Sequence, residues 1–187
     1  MLLRMTLAPT PGTMPGYHVR EPRRRGGGMM VIMHQKAEMA QPEVRVRPAQ
    51  ASDVPSVIAL DVETTGLEKA AYWKERFESY GGRHRDRFFL IATVNEEPAG
   101  FIVGEIRAWE FGSPPSGWIF AIDVKPSQRQ HGIGSVLFDA MCARFRKAGV
   151  KHVRTMLAKE DTLVLSFFRS QGMMAGPFIE LEMALPS

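Results

Sequence analysis

The stretch best equipped to do chemistry is VKPSQRQHGIGSVLF, residues 124–138, where a β-rich run ends, a turn intervenes and a helical pattern begins. A helix that starts at a glycine turn leaves several backbone N–H groups unpaired, and its dipole adds partial positive charge, so the natural guest is a phosphate. Gly132 and Gly134 allow the backbone to approach such a ligand, Ser135 adds a hydroxyl, and Arg129 and His131 add side-chain donors. Gln130 and Ile133 complete the turn.

Two other phosphate motifs do not fit. A P-loop requires Lys-Ser/Thr after its last glycine, whereas Ser135-Val136 follows Gly134. A dinucleotide fingerprint requires its glycines directly after a strand and a third small residue, but Leu137 stands in that third place.

The elements around the turn form a definite order. EVRVRPA alternates as a strand, and SDVPSVIAL opens a helix with Ser52 as cap and Asp53 in the first turn. A second helix is expected over Leu67 to Tyr80, where Trp73, Phe77 and Tyr80 form an aromatic stripe whose plainer reading is core packing. RFFLIATV, FIVGEIRAWE and WIFAIDV read as three antiparallel strands. After the glycine turn, Leu137, Met141 and Phe145 mark a helix, HVRTMLA a strand, DTLVLSFFRSQG a helix capped by Asp161, and FIELEMAL a closing strand. The fold class is therefore α/β (α+β), in the order β-α-α-β-β-β-α-β-α-β.

With the turn and this order in place, Arg129-Gln130-His131-Gly132-Ile133-Gly134 resembles the R/Q-x-x-G-x-G/A signature of the GNAT N-acetyltransferase superfamily. IDVKP precedes it where that family has its fourth strand, and EDTLVLSFFRSQGM resembles the family's closing segment, so the likeness runs over about residues 44–187. In look it is nearest to the ribosomal-protein and amino-terminal acetyltransferase branch.

The resemblance implies a mostly antiparallel twisted sheet splayed between its fourth and fifth strands, and an acetyl-CoA donor. The pyrophosphate would lie on the amides of residues 129–135, the pantetheine against Ile122 to Val124, and the Val124 N–H would face the thioester oxygen. The acceptor amine would come over the first two helices, from a protein amino terminus, a lysine or a small molecule. A module that binds acyl-CoA without turnover is the remaining alternative.

The position of the tyrosine that protonates the leaving thiolate in many relatives is Phe168, which has no proton to give. Two other usual catalytic positions are Met156 and Trp118. Asp123 is the first candidate for acid–base work, because it interrupts an apolar strand where an unpaired charge is costly and its pKa should rise. Glu63, placed in the loop between the first two helices, is the second, with Glu105 and Glu110 behind it; for each, a solvated carboxylate is the plainer reading. Tyr72, Trp73, Trp109 and Trp118 are expected as apolar walls for the acceptor.

Composition narrows the rest. The chain has 187 residues, 44% of them hydrophobic, enough for one core. Of its 24 Lys/Arg and 20 Asp/Glu, six and three lie in residues 1–43, so the remainder is nearly neutral and has no cationic stripe for nucleic acid. No apolar run reaches the ~18 residues of a membrane span, and the single cysteine, Cys142, suggests a packed thiol in a reducing, cytoplasmic setting. No metal site is expected.

Residues 1–42, with APTPGTMPG and EPRRRGGGMM, read as a disordered extension or as residues upstream of a true start at Met29, Met30 or Met33. By the resemblance, residues 43–187 would form the acetyltransferase domain. The apolar alternation of FIELEMAL suits either the core or a homodimer edge.

Overall fold

The computed structural model describes residues 43–185, so the expectations for residues 1–42 lie outside it. Five strands form one sheet in the order β1 (Val44–Pro48), β2 (Arg87–Val94), β3 (Glu97–Arg107), β4 (Ser116–Val124), β5 (Val153–Arg154). The first four are antiparallel neighbours, and β4 and β5 are parallel. A parallel pair needs a long crossover, supplied here by the 15-residue helix α3 (Ile133–Lys147). Helices α1 (Val54–Thr65) and α2 (Ala70–Tyr80) precede β2, and α4 (Thr162–Ser170) follows β5.

The β2 sequence FFLIATV has almost no polar residue to turn toward water, so both sheet faces must be covered. On one face Leu90, Ile102 and Ile119 pack against Leu137, Met141 and Phe145 of α3 and Phe168 of α4. On the other, Ile91, Phe101 and Val103 pack against Val57 and Leu60 of α1 and Trp73 and Tyr80 of α2. The aromatic stripe of α2 is thus core at Trp73, which meets Phe101 edge-on at 4.9 Å, and Trp73 is not an acceptor wall.

Four local expectations change. Ser52 does not cap α1: a single 3-10 turn over Ala51–Asp53 precedes the helix, and Asp53 holds it by accepting the Gln50 N–H at 2.7 Å. Helix α2 begins at Ala70 rather than Leu67, because Gly66 at φ +71° ends α1 and the chain must turn before the next helix. HVRTMLA pairs only at Val153 and Arg154. FIELEMAL forms no strand; Ile179, Leu181, Met183 and Leu185 are all exposed, so this segment adds nothing to the core.

Asp53 also ties β1 to the start of α1. Its buried carboxylate meets Arg47 through two hydrogen bonds, at 2.6 and 2.8 Å. Burial pushes the carboxyl pKa up, but the Arg47 and Gln50 donors outweigh this, and the net shift is downward. A depressed pKa contributes stability above the unfolded value of about 4 and loses it as pH falls through the folded one. Asp53→Ala is therefore expected to cost about 1–3 kcal/mol in urea unfolding at pH 7, with the difference from the native chain shrinking as the pH is taken below about 4.

Candidate active site

The β3–β4 register passes from Val103↔Ala121 to Gly104↔Ile119, leaving Phe120 as an extra residue in β4. A bulge of this kind bends its strand and lets two successive side chains share a face. Accordingly Phe120 and Ala121 both pack toward α1 and α2, while Ile119, Ile122 and Val124 pack toward α3 and α4.

The bulge falls where β4 and β5 part. They pair at Gly117↔Val153 and Trp118↔Arg154, and beyond these residues a cleft of about 240 Å³ opens between Ile119–Ile122 and Thr155–Ala158. Phe168 and Val164 of α4 line it, with Phe168 only 4% exposed, while Met156 is exposed. The expected splay is present, and neither Phe168 nor Met156 brings an ionisable group to it.

Backbone polarity fits an extended guest in this cleft. The Lys125 N–H donates to Ala99 O of β3 at 2.9 Å, so by strand alternation the N–H groups of Ile122 and Val124 point away from β3, toward the splay. The Val124 N–H is already engaged, donating to Oδ1 of Asp123 at 2.8 Å.

At the end of β4 a 3-10 turn, Pro126–Gln128, leads into the glycine turn. Gln130 and Gly132 take left-handed φ values of +69° and +76°, and Gly132 occupies the N-cap position of α3. A residue there without a side-chain cap leaves the first amides of α3 free of intrahelical partners, the arrangement that holds anions. No acidic residue lies in the first turn of α3.

The other residues of the turn have more particular placements than the sequence indicates. A Cβ on Gly134 would lie 3.0 Å from Cε2 of Phe167, so this glycine serves the packing of α4 on α3 as well as any ligand. Ile133 is buried and offers only its amide. Ser135 Oγ accepts a hydrogen bond from Gln171 Nε2 at 3.0 Å. His131 is exposed, with Nδ1 3.3 Å from Gln128 O. Arg129 folds back on β4, donating from Nε to Val124 O at 3.1 Å, with Nη2 3.4 Å from Asp123 Oδ1.

Asp123 lies between Ile122 and Val124 in the alternation, so its side chain turns to the α1 face, close to the Thr64 hydroxyl. Burial pushes its carboxyl pKa up, only partly offset by Thr64, the Val124 N–H and Arg129. Glu63, one residue before Thr64, belongs to the last turn of α1 rather than to a loop, and it is exposed. Glu105 is occupied structurally: it accepts from Tyr80 Oη at 2.5 Å and from Arg107 Nε at 2.7 Å. Glu110 and Trp109 are exposed.

One buried acid escaped the sequence reading. Asp61 accepts from Trp73 Nε1 at 2.8 Å and meets Lys69 Nζ at 2.9 Å, which fixes the α1–α2 connection beside Thr64. Its signal was the helical phase, since Val57, Leu60 and Asp61 share the buried face of α1.

Residues 54–173 match the Acetyltransferase (GNAT) family. The chain belongs to that family. GNAT membership makes it an acetyltransferase with acetyl-CoA as donor. The fold agrees: an aminoglycoside N-acetyltransferase solved in complex with CoA superposes with TM-score 0.67 at 17% identity, over 76% of this chain and 95% of that one. An aminoglycoside 6'-N-acetyltransferase from Acinetobacter baumannii gives 0.65 at 15% identity, over 77% and 100%. A protein described as a transcriptional regulator from Bacillus halodurans gives 0.64 at 18%, over 76% and 100%. No curated protein matches the chain. These similar GNAT structures do not single out the ribosomal-protein and amino-terminal branch. Among the described residues no helix is long and apolar enough to cross a membrane.

Because its pKa is raised by burial, ionised Asp123 works against folding: the native chain loses stability relative to an amide as pH rises through about 4 and on to the folded pKa. Asp123→Asn is expected to melt at an equal or higher temperature than the native chain at pH 7. A drop of more than about 4 °C would mean that the pairing with Arg129 outweighs the cost of burial.

Proposed function

We propose that the protein transfers the acetyl group of acetyl-CoA to a primary amine that approaches over α1 and α2, with Asp123 as proton acceptor. The single observation that carries this reading is the orientation of Asp123: it is rooted in the cleft strand, but its carboxylate faces the acceptor side. In this reading the amides of residues 130–135 receive the pyrophosphate, with Arg129 closing the end of β4 and His131 and Ser135 at the rim. Ile122 and Val124 offer backbone groups to the pantetheine, which lies along β4 as an added strand. Glu63 is too exposed for a tuned base and contributes charge at most.

The neutral amine attacks the thioester carbonyl, forming the C–N bond, and its surplus proton passes to Asp123. The tetrahedral intermediate then expels CoA as thiolate, breaking the C–S bond, and the thiolate takes the proton that Asp123 accepted, relayed by water, since Phe168 has none to give; Asp123 returns to its ionised form. Positioning of the two reactants supplies much of the acceleration; effective molarity alone is worth roughly 7–11 kcal/mol.

Asp123 and the Val124 N–H are coupled in this scheme. While ionised, the carboxylate occupies the donor that the oxyanion requires. Proton uptake from the amine weakens that grip as negative charge develops on the thioester oxygen, and the amide is released to stabilise it.

Peptide amino termini and lysine side chains are the acceptors we favour, with a small-molecule amine as the second reading because aminoglycoside acetyltransferases share the fold. CoA release measured against an amine panel tests the chemistry. Asp123→Asn should lower kcat by about 100- to 10,000-fold while calorimetric affinity for CoA changes by less than about threefold. An unchanged rate at every pH would remove Asp123 from the mechanism, and CoA binding without release for any amine would favour a binding module.

A further inference from the structure

At the opposite end of the sheet from the glycine turn, three guanidinium groups gather on the acceptor side. Arg76 lies 5.3 Å from the centre of the Tyr72 ring and 5.4 Å from that of Tyr80. Arg87 sits 5.6 Å from the Tyr80 ring, and Arg107 4.8 Å from the Trp118 ring. Tyr80 in turn meets Phe120, the bulged residue that lines the cleft, edge-on at 5.3 Å. The cluster is therefore one aromatic ring away from the cleft.

Its charges do not balance. Glu105 meets Arg107, and Arg76 reaches only the exposed Glu75 at 3.2 Å. Arg87 stands across from Glu105 on β3 and helps to hold that carboxyl's pKa down, but it makes no ion pair among the described residues, so Glu105 is shared between two guanidinium groups. The adjoining loop adds exposed Arg83, His84 and Arg85 against Asp86 alone. Among the described residues, the two buried side-chain nitrogens without a hydrogen-bond partner are Arg76 Nε and Trp118 Nε1, and both belong to this cluster. Both are donors enclosed by their neighbours, so neither brings a counter-charge to the cluster.

We propose that the acceptor carries a carboxylate or phosphate and that Arg76, Arg87 and Arg107 receive it; this inference rests on the proposed transfer over α1 and α2. Three to five residues of β4 separate Asp123 from Phe120 and Trp118, so the anion lies about 10–15 Å from the reacting amine. An extended peptide covers that span in roughly three to four residues, which places the acid at about the fourth or fifth residue from a free amino terminus. A polycation such as an aminoglycoside meets repulsion on the same surface.

The test uses the full chain with acetyl-CoA and peptides identical except at positions 4 and 5, which are Glu-Glu, phosphoserine pairs or Lys-Lys, alongside an aminoglycoside. The acidic peptides are expected to show kcat/KM at least about 10-fold above the Lys-Lys peptide, with the gap narrowing as salt rises. The Glu and phosphoserine arms tell a carboxylate from a phosphate preference. Arg87→Ala, at an exposed position, should cut the preference to about threefold or less without changing KM for acetyl-CoA. Equal or better use of the Lys-Lys peptide or the aminoglycoside overturns the anion site. Fluorescence anisotropy with the same peptides separates the two levels of the argument. Acidic-peptide binding that Arg87→Ala weakens, without acetylation of any amine, overturns the proposed chemistry and keeps the site; absence of both overturns both.

Discussion

One extra residue in β4 organises this molecule. By inserting Phe120 between the positions that oppose Val103 and Gly104, the bulge bends the strand where its parallel neighbour would otherwise continue. Pairing with β5 stops after two residue pairs, and the sheet opens into a cleft walled by backbone rather than by a separate domain. An open strand edge exposes unpaired backbone groups and ordinarily invites aggregation; here it lies inside the molecule, flanked by α3 and α4. The same bulge sets which side chains face which way on either side of it. Ile122 and Val124 thus serve the core beside α3 and α4, while Asp123 and Phe120 face α1 and α2.

That arrangement concentrates competing demands on a short run of chain. Asp123 sits where burial opposes its charge, and three neighbouring donors only partly compensate. A carboxylate in that condition readily accepts a proton, the property a base for amine attack requires. It also accepts the Val124 N–H, the donor that the proposed reading assigns to the thioester oxygen. Arg129, whose counterpart in the glycine signature invites a reading as a phosphate ligand, instead braces this end of β4 through Val124 O. In the proposed reading, phosphate recognition at the turn would therefore fall mainly to backbone amides around the left-handed Gln130 and Gly132.

The face of the sheet under α1 and α2 is held by different means. Asp61 links Lys69 and Trp73 and so fixes the connection from α1 to α2, while Tyr80, Glu105 and Arg107 pin the far end of α2 to β3. Both networks pair a carboxylate, buried at Asp61 and half-buried at Glu105, with an aromatic donor and a cation, a combination that keeps the charge satisfied where water is scarce. Similar folds belong to aminoglycoside acetyltransferases, yet at 15–18% identity the surface charge of this chain is its own, and around Tyr80 that charge is positive.

The glycine turn, the order of elements through α4 and the absence of a tyrosine at Phe168 were legible in the sequence, because each depends on local chemistry: φ beyond the reach of most residues, period-2 and period-3.6 apolar patterns, the identity of one side chain. Asp123 was legible as an anomaly, an acid in an apolar strand. Its direction was not, since a bulge shifts alternation by one and is visible only in the pairing of β4 with β3. For the same reason the engagement of Val124, the service of Gly134 to Phe167, and the gathering of Arg76, Arg87 and Arg107 from α2, β2 and β3 belong to the tertiary structure alone. FIELEMAL shows the converse limit: its alternation has the period of a strand, but a strand exists only where another offers its edge, and β5 is paired over just two residues.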